Sequence, residues 1–105
     1  MSEDSKMKLI SYTTKPDRAS ENRGKVEAVF AALHAARLPG VSYMVVETEE
    51  GSFFHMVEGS QAAIDAVQAL PAFREFSAEA GERQAVPSVR REAKVVGSYG
   101  SLVQQ

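Results

Sequence analysis

The chain has 105 residues, of which 44% are hydrophobic and 25% are charged, and it contains no cysteine. This composition is typical of one globular domain and argues against disorder, so we predict a single domain over residues 1–105 with an ordered core from about 7 to 100. The formal net charge of −2 gives no indication of the clustered basic surface that nucleic-acid binding requires. The lack of cysteine excludes disulfides and thiol catalysis.

The segment from Met1 to Lys6 lacks the apolar core of a signal peptide. The longest strongly apolar run, Tyr43 to Val46, is far shorter than the roughly 20 residues of a membrane helix. We therefore expect a cytoplasmic protein with neither a membrane nor a nucleic-acid partner.

The first half of the chain predicts a strand, a helix and a second strand. Met7 to Thr14 is rich in strand-forming residues and ends at a proline, after which Asp17 or Ser20 could cap a helix. Apolar residues then recur at helical spacing and define one buried face: Val26, Val29, Phe30, Leu33 and Ala36. Pro39 and Gly40 end the helix, and Val41 to Thr48 is the next strand.

The second half predicts the same three elements after a hairpin turn at Gly51. Ser52 to Glu58 forms a strand, Ser60 caps a helix that Pro71 kinks or restarts, and a last strand runs roughly from Val89 to Tyr99. The order is β-α-β-β-α-β. It predicts a ferredoxin-like α+β domain with a four-stranded antiparallel sheet and the helices on one face.

The second and third strands are apolar on both sides, as Tyr43-Met44-Val45-Val46 and Phe53-Phe54-His55-Met56-Val57 show. Only one side can face the helices, so we expect a second copy to cover the other and predict a homodimer. If Phe54 and Met56 face the helices, His55 points toward the partner sheet and Glu58 lies on the helix side.

Ser52 to Phe76 resembles the antibiotic-biosynthesis-monooxygenase-like dimeric α+β barrel superfamily, in which a strand leads into a helix followed by a proline and two phenylalanines. Leu70 to Phe76 matches the last part, and Lys15-Pro16 matches the family's turn after the first strand. The resemblance implies sheets paired back to back and a pocket between sheet and helices. Some members oxidise quinols or phenols with O₂ and no cofactor, while others degrade haem.

The usual catalytic residues of this family are replaced here. The family's tyrosine, tryptophan and helix histidine fall at His55, Glu58 and Val67, and its glutamate falls at Met56. A valine cannot bind haem iron or transfer a proton, so we expect no cofactor. The two histidines and the carboxylates have no metal-site spacing.

Five polar residues are candidates for ligand binding: Tyr12, Asn22, Tyr43, His55 and Glu58. Each also has a purely structural interpretation. The two tyrosines could bury their rings and leave their hydroxyls in water, and Asn22 could bond to nearby backbone. His55 could be a hydrogen-bonded core residue, and Glu58 a solvated carboxylate at the end of its strand. Two functions stay open. One is a homodimer that binds a small apolar or aromatic molecule, and the other is a cofactor-free monooxygenase acting on a quinol or phenol with help from Tyr12, Asn22 and Glu58.

Overall fold

A computed structural model describes residues 6–100 of the chain. Its elements are β1 (Lys6–Thr14), α1 (Ala19–Ala36), β2 (Val41–Glu47), β3 (Ser52–Gly59), α2 (Gln61–Gln68), α3 (Pro71–Ala78), α4 (Ala80–Arg83) and β4 (Gln84–Ala93). The strands form one sheet in the order β2-β3-β1-β4, and each neighbouring pair is antiparallel. This arrangement confirms the ferredoxin-like prediction.

The connections follow the turn chemistry of the sequence, with one exception. Gly51 has a φ of 84° in the β2–β3 hairpin, and Ser60 Oγ accepts a hydrogen bond from the Ala63 amide at 3.2 Å. Both features confirm the prediction. At the start of α1, however, a 3₁₀ turn at Pro16–Arg18 leads into the helix and no side chain caps it. The expected cap from Asp17 or Ser20 is therefore wrong.

The chain between α2 and β4 differs most from the prediction. Pro71 begins a separate helix, α3, which confirms the restart predicted at this proline, but the short helix α4 that follows was not predicted. The last strand begins at Gln84 and ends at Ala93, rather than running from Val89 to Tyr99. Pro87 lies inside it, which is tolerated because β4 is at the edge of the sheet.

The two faces of β3 are the reverse of the expected ones. Phe53, His55 and Val57 are buried beneath the helices, while Phe54 and Met56 lie on the helix-free face and are partly exposed. When both sides of a strand are apolar, alternation alone does not say which side faces inward. Burial is decided by the helices and by the neighbouring strand, where the Tyr12 ring stacks on Phe53 at a centroid distance of 5.5 Å.

The hydrophobic core lies between the sheet and α1 and α3. One cluster of its buried members comprises Tyr12, Val26, Val29, Phe53 and Phe76, and Val57 of β3 and Ile64 and Val67 of α2 are buried as well. Across residues 6–100, no helix is long and apolar enough to cross a membrane.

Candidate functional site

A chain of hydrogen bonds joins polar side chains from three adjacent strands inside this core. Tyr12 Oη lies 2.8 Å from His55 Nε2, and Tyr43 Oη lies 2.9 Å from His55 Nδ1. Tyr12, Tyr43 and His55 come from β1, β2 and β3, and β3 lies between the other two. Both nitrogens of the imidazole are therefore bonded to phenol groups, and His55 is only 4% exposed.

Two residues from the helical layer extend the chain. Asn22 of α1 donates from Nδ2 to Tyr12 Oη at 2.9 Å, and Arg83 of α4 donates from Nε to Asn22 Oδ1 at 2.9 Å. Asn22 and Arg83 are almost completely buried. We call Arg83, Asn22, Tyr12, His55 and Tyr43 the buried polar chain.

Arg83 is held by more than Asn22. Its Nη2 donates to the carbonyl oxygen of Phe76 at 2.8 Å, close to the end of α3, and its guanidinium lies 5.3 Å from the centroid of the Phe76 ring. The Arg83 carbonyl accepts from the Lys15 amide at 2.8 Å and ties α4 to the end of β1. Nη1 is buried and has no hydrogen-bond partner within residues 6–100. Arg83 therefore introduces a buried positive charge compensated by dipoles and a π face.

Burial fixes the protonation of the titratable members of the chain. It lowers the pKa of His55 to about 4, so the imidazole is neutral at pH 7. It raises the pKa of Tyr12 to about 12, although the Asn22 hydrogen bond and the Arg83 charge oppose the shift. Burial and the neighbouring Tyr12 also raise the pKa of Tyr43. At pH 7 the buried polar chain thus contains a neutral imidazole between two neutral phenols.

A cavity of about 210 Å³ adjoins this chain between the sheet and α3. The rings of Tyr12, Tyr43, His55, Phe73 and Phe76 line it. Ser88 and Arg90 of β4 contribute polar groups to the same wall, and a smaller space of about 40 Å³, lined by Tyr43, Phe73 and Arg90 among others, lies next to it. An aromatic cavity with a few polar groups is the usual form of a small-molecule site.

A second hollow lies at the edge of the sheet, between α1 and the edge strand β2. It has a volume of about 460 Å³ and a mainly apolar lining that includes Phe30 and Tyr43. Arg23 and Glu47, which form a bidentate pair at 2.7 and 2.9 Å, also line it. Only Tyr43 of the buried polar chain borders this hollow.

The structure thus brings four of the five candidate residues together, namely Tyr12, Asn22, Tyr43 and His55. Glu58 is separate. It is exposed and pairs in register with Met7 and Ser42, on the helix-free face. The expectation that it lies on the helix side is wrong, for the same reason as the reversal of β3.

Sequence reasoning missed Arg83 and Arg90. Arg83 lies in a segment without apolar periodicity, so nothing in the sequence indicated that it would be buried. Arg90 and Arg91 are consecutive charged residues of β4 and give no sign in the sequence of different surroundings, but neighbouring residues of a strand point to opposite sides. Arg90 lines the cavity, whereas Arg91 pairs with Leu9 on the helix-free face.

Within the described part of the chain, no group of three histidine, aspartate or glutamate side chains could hold a metal ion. Of the groups that line the cavity, the imidazole of His55 is the usual kind of metal ligand, and both of its nitrogens are already bonded to phenol groups.

No family model matches the chain, and no curated protein matches it. Solved structures with the same fold are nevertheless numerous. A protein from Mycobacterium tuberculosis superposes with a TM-score of 0.75 at 19% identity, covering 92% of this chain and 100% of its own. A protein from Caulobacter crescentus assigned as an antibiotic biosynthesis monooxygenase gives 0.73 at 18% identity, covering 89% and 91%.

A third neighbour, SnoaB from Streptomyces nogalater, is a cofactor-independent oxygenase. Its TM-score is 0.68 at 14% identity, and the alignment covers 94% of this chain and 100% of SnoaB. At these identities the likeness concerns the fold. The chain has the antibiotic-biosynthesis-monooxygenase-like fold over nearly its whole length, which confirms the resemblance predicted from Ser52 to Phe76.

The buried neutral His55 predicts that the stability of the fold depends on pH. The unfolded chain takes up a proton on His55 near pH 6.5, whereas the folded chain does so only near pH 4. Stability is therefore unaffected by this group above about pH 6.5 and falls as the pH drops from 6.5 to 4, by about 3 kcal/mol in total. Urea denaturation at several pH values measures the effect.

His55→Gln should flatten this part of the stability profile. The matched control is His34→Gln, since His34 is exposed on α1 and its replacement should leave the slope unchanged. A wild-type profile that is flat between pH 6.5 and 4 would contradict the burial of a neutral imidazole.

Proposed function

We propose that the protein is a homodimer that binds a small apolar or aromatic molecule in the cavity between its sheet and helices. The observation that carries this proposal is the placement of Tyr12, Tyr43 and His55 in the wall of one cavity. Their polar atoms bond to one another and fix the rings in place. A rigid aromatic wall binds a flat ligand at low entropic cost.

The cavity has the chemistry for such a ligand. Phe73 and Phe76 face the three rings of the chain, and their own centroids are 5.8 Å apart. Arg90 and Ser88 are exposed residues of β4 that reach the same space, so a ligand could place a polar group toward them and its ring toward the core.

Dimerisation is supported by the helix-free face of the sheet. Apolar side chains from all four strands lie on it, among them Leu9, Met44, Val46, Phe54, Met56 and Val89. All are at least partly exposed in the single chain. A continuous apolar patch of this kind is suited to the matching sheet of a second copy.

The alternative function is cofactor-free oxygenation of a quinol or phenol, and the neighbour SnoaB is a cofactor-independent oxygenase. The phenol–imidazole–phenol arrangement favours it, because such a series can transfer a proton. Two facts rank it second. Both nitrogens of His55 are already bonded, and burial lowers its pKa to about 4, which makes it a weak base. Oxygen uptake with a simple quinol would reverse this ranking.

The binding proposal predicts that filling the cavity weakens ligand binding. Ser88→Phe places a ring in the cavity from an exposed strand position and should weaken binding of 2-naphthol about tenfold or more. The fluorescence of 2-naphthol reports binding, since the chain has no tryptophan.

Ser20→Phe, which adds the same ring at an exposed position of α1, is the control and should bind as the wild type does. Native mass spectrometry of freshly purified protein would show any ligand carried through purification. Equal affinities for the wild type and Ser88→Phe would place the ligand elsewhere.

The dimer proposal predicts that a charge on the helix-free face separates the subunits. Val46 is 43% exposed in the single chain, so Val46→Lys should leave the fold intact while burying an unpaired charge in the interface. Light scattering should show the mass falling from twice 11.4 kDa to 11.4 kDa.

Ala28→Lys adds the same charge on the exposed side of α1 and should remain dimeric. A wild-type protein that is monomeric at micromolar concentration would refute the interface.

A further inference from the structure

We propose that the cavity selects aromatic ligands that accept a hydrogen bond, such as those with a ring carbonyl, because Arg83 sets the direction of the buried polar chain so that Tyr43 offers its proton. The inference rests on the proposed binding function and names the ligand class. Arg83 does not line the cavity. It acts as a positioning residue through four successive hydrogen bonds.

The first step fixes the amide of Asn22. A guanidinium has donors and no acceptor, so the atom of Asn22 that bonds to Arg83 Nε at 2.9 Å must be the oxygen. The amide nitrogen then points to Tyr12 Oη, 2.9 Å away, and can only donate. The orientation of Asn22 thus follows from the chemistry of Arg83.

The second step fixes the proton of Tyr12. Its oxygen already accepts from Asn22, and its remaining short contact within residues 6–100 is to His55 Nε2 at 2.8 Å. Tyr12 is 4% exposed whereas Tyr43 is only partly buried, so a hydroxyl proton without a protein partner costs less on Tyr43 than on Tyr12. Tyr12 therefore donates, and Nε2 of His55 accepts.

The third step reaches the cavity. A neutral imidazole whose Nε2 accepts carries its proton on Nδ1, and Nδ1 lies 2.9 Å from Tyr43 Oη. The neutral state agrees with the lowered pKa of His55. Nδ1 donates to Tyr43, which leaves the hydroxyl proton of Tyr43 free for the cavity that Tyr43 lines.

Arg90 adds a second donor-only group to the same wall, and it lines both the 210 Å³ cavity and the adjoining 40 Å³ space. Tyr43 and Arg90 together favour an oxygen acceptor on the ligand. A ligand that only donates would meet two donors and leave its own proton unpaired, which costs affinity.

The first test reads the direction of the chain without any ligand. ¹⁵N NMR of the His55 ring should show a protonated Nδ1 and an unprotonated Nε2 at pH 7.5. In Asn22→Asp both side-chain oxygens accept, so Tyr12 donates to the carboxylate instead and the His55 proton should move to Nε2. A wild-type ring protonated on Nε2, or on both nitrogens, would overturn the inference.

The second test uses three bicyclic probes of similar shape: 1-indanone, which only accepts, indole, which only donates, and indane, which does neither. Wild-type protein should bind 1-indanone about fivefold to tenfold more tightly than indane or indole. Asn22→Asp should weaken binding of 1-indanone and strengthen binding of indole, since Tyr43 then donates to His55 and offers only its oxygen. Calorimetric titration measures all three affinities.

Tyr43→Phe keeps the ring and removes the donor, so it provides a second variant should Asn22→Asp fail to fold. Its preference for 1-indanone over indane should fall to the part that Arg90 provides, and a preference equal to that of the wild type would overturn the role of Tyr43. Equal wild-type affinities for 1-indanone and indole would refute the proposed ligand preference but leave the binding function intact. If none of the probes binds, the binding function itself fails with it.

Discussion

A guanidinium group donates hydrogen bonds and cannot accept them, and the buried polar chain depends on that constraint. Arg83 Nε bonds to Asn22 Oδ1, so the amide of Asn22 has one possible orientation and Tyr12 must accept from it. The phenol proton then goes to His55, and the order of donors continues to the cavity. Without Arg83 the same side chains could bond in either direction, and Tyr43 would present no defined proton. The position of one buried charge thus determines the polarity of a site that it does not touch.

Most of the fold could be predicted from local features of the sequence. These are the apolar periodicity of each strand and helix, the glycine of the hairpin and the Ser60 cap, and each depends only on the residues of its own segment. The errors arose where local chemistry is ambiguous. Residues 53–57 are apolar on both sides, so which side faces the helices is decided by packing against α1 and α3 and by the pairing with Tyr12. The predicted end of the last strand was wrong for a related reason. Val95 and Val96 are strand-forming residues, yet they lie exposed beyond the last paired residue of β4.

Part of the site could also be predicted. A polar residue inside an apolar strand must find a partner when it is buried, which singled out His55, and aromatic residues with a hydroxyl are the natural partners. Their convergence depends on the register of β1, β2 and β3, which the sequence does not state. Arg83 could not be predicted, because its burial follows from the α4 turn and from the Phe76 carbonyl to which it donates.

The central claim is that the buried side chains act as one bonded unit, and a double-mutant cycle between Tyr12→Phe and Asn22→Leu tests it most directly. Each single change leaves a buried partner unsatisfied, whereas the double change removes both sides of one bond. Urea denaturation at pH 7.5, where His55 is neutral, gives the four free energies of unfolding. The account predicts a coupling free energy of about 1 kcal/mol or more, with the double variant less destabilised than the sum of the single ones. Losses of unfolding free energy that add within about 0.3 kcal/mol would show that the two residues do not interact. That result would contradict the claim that the buried side chains act as one bonded unit.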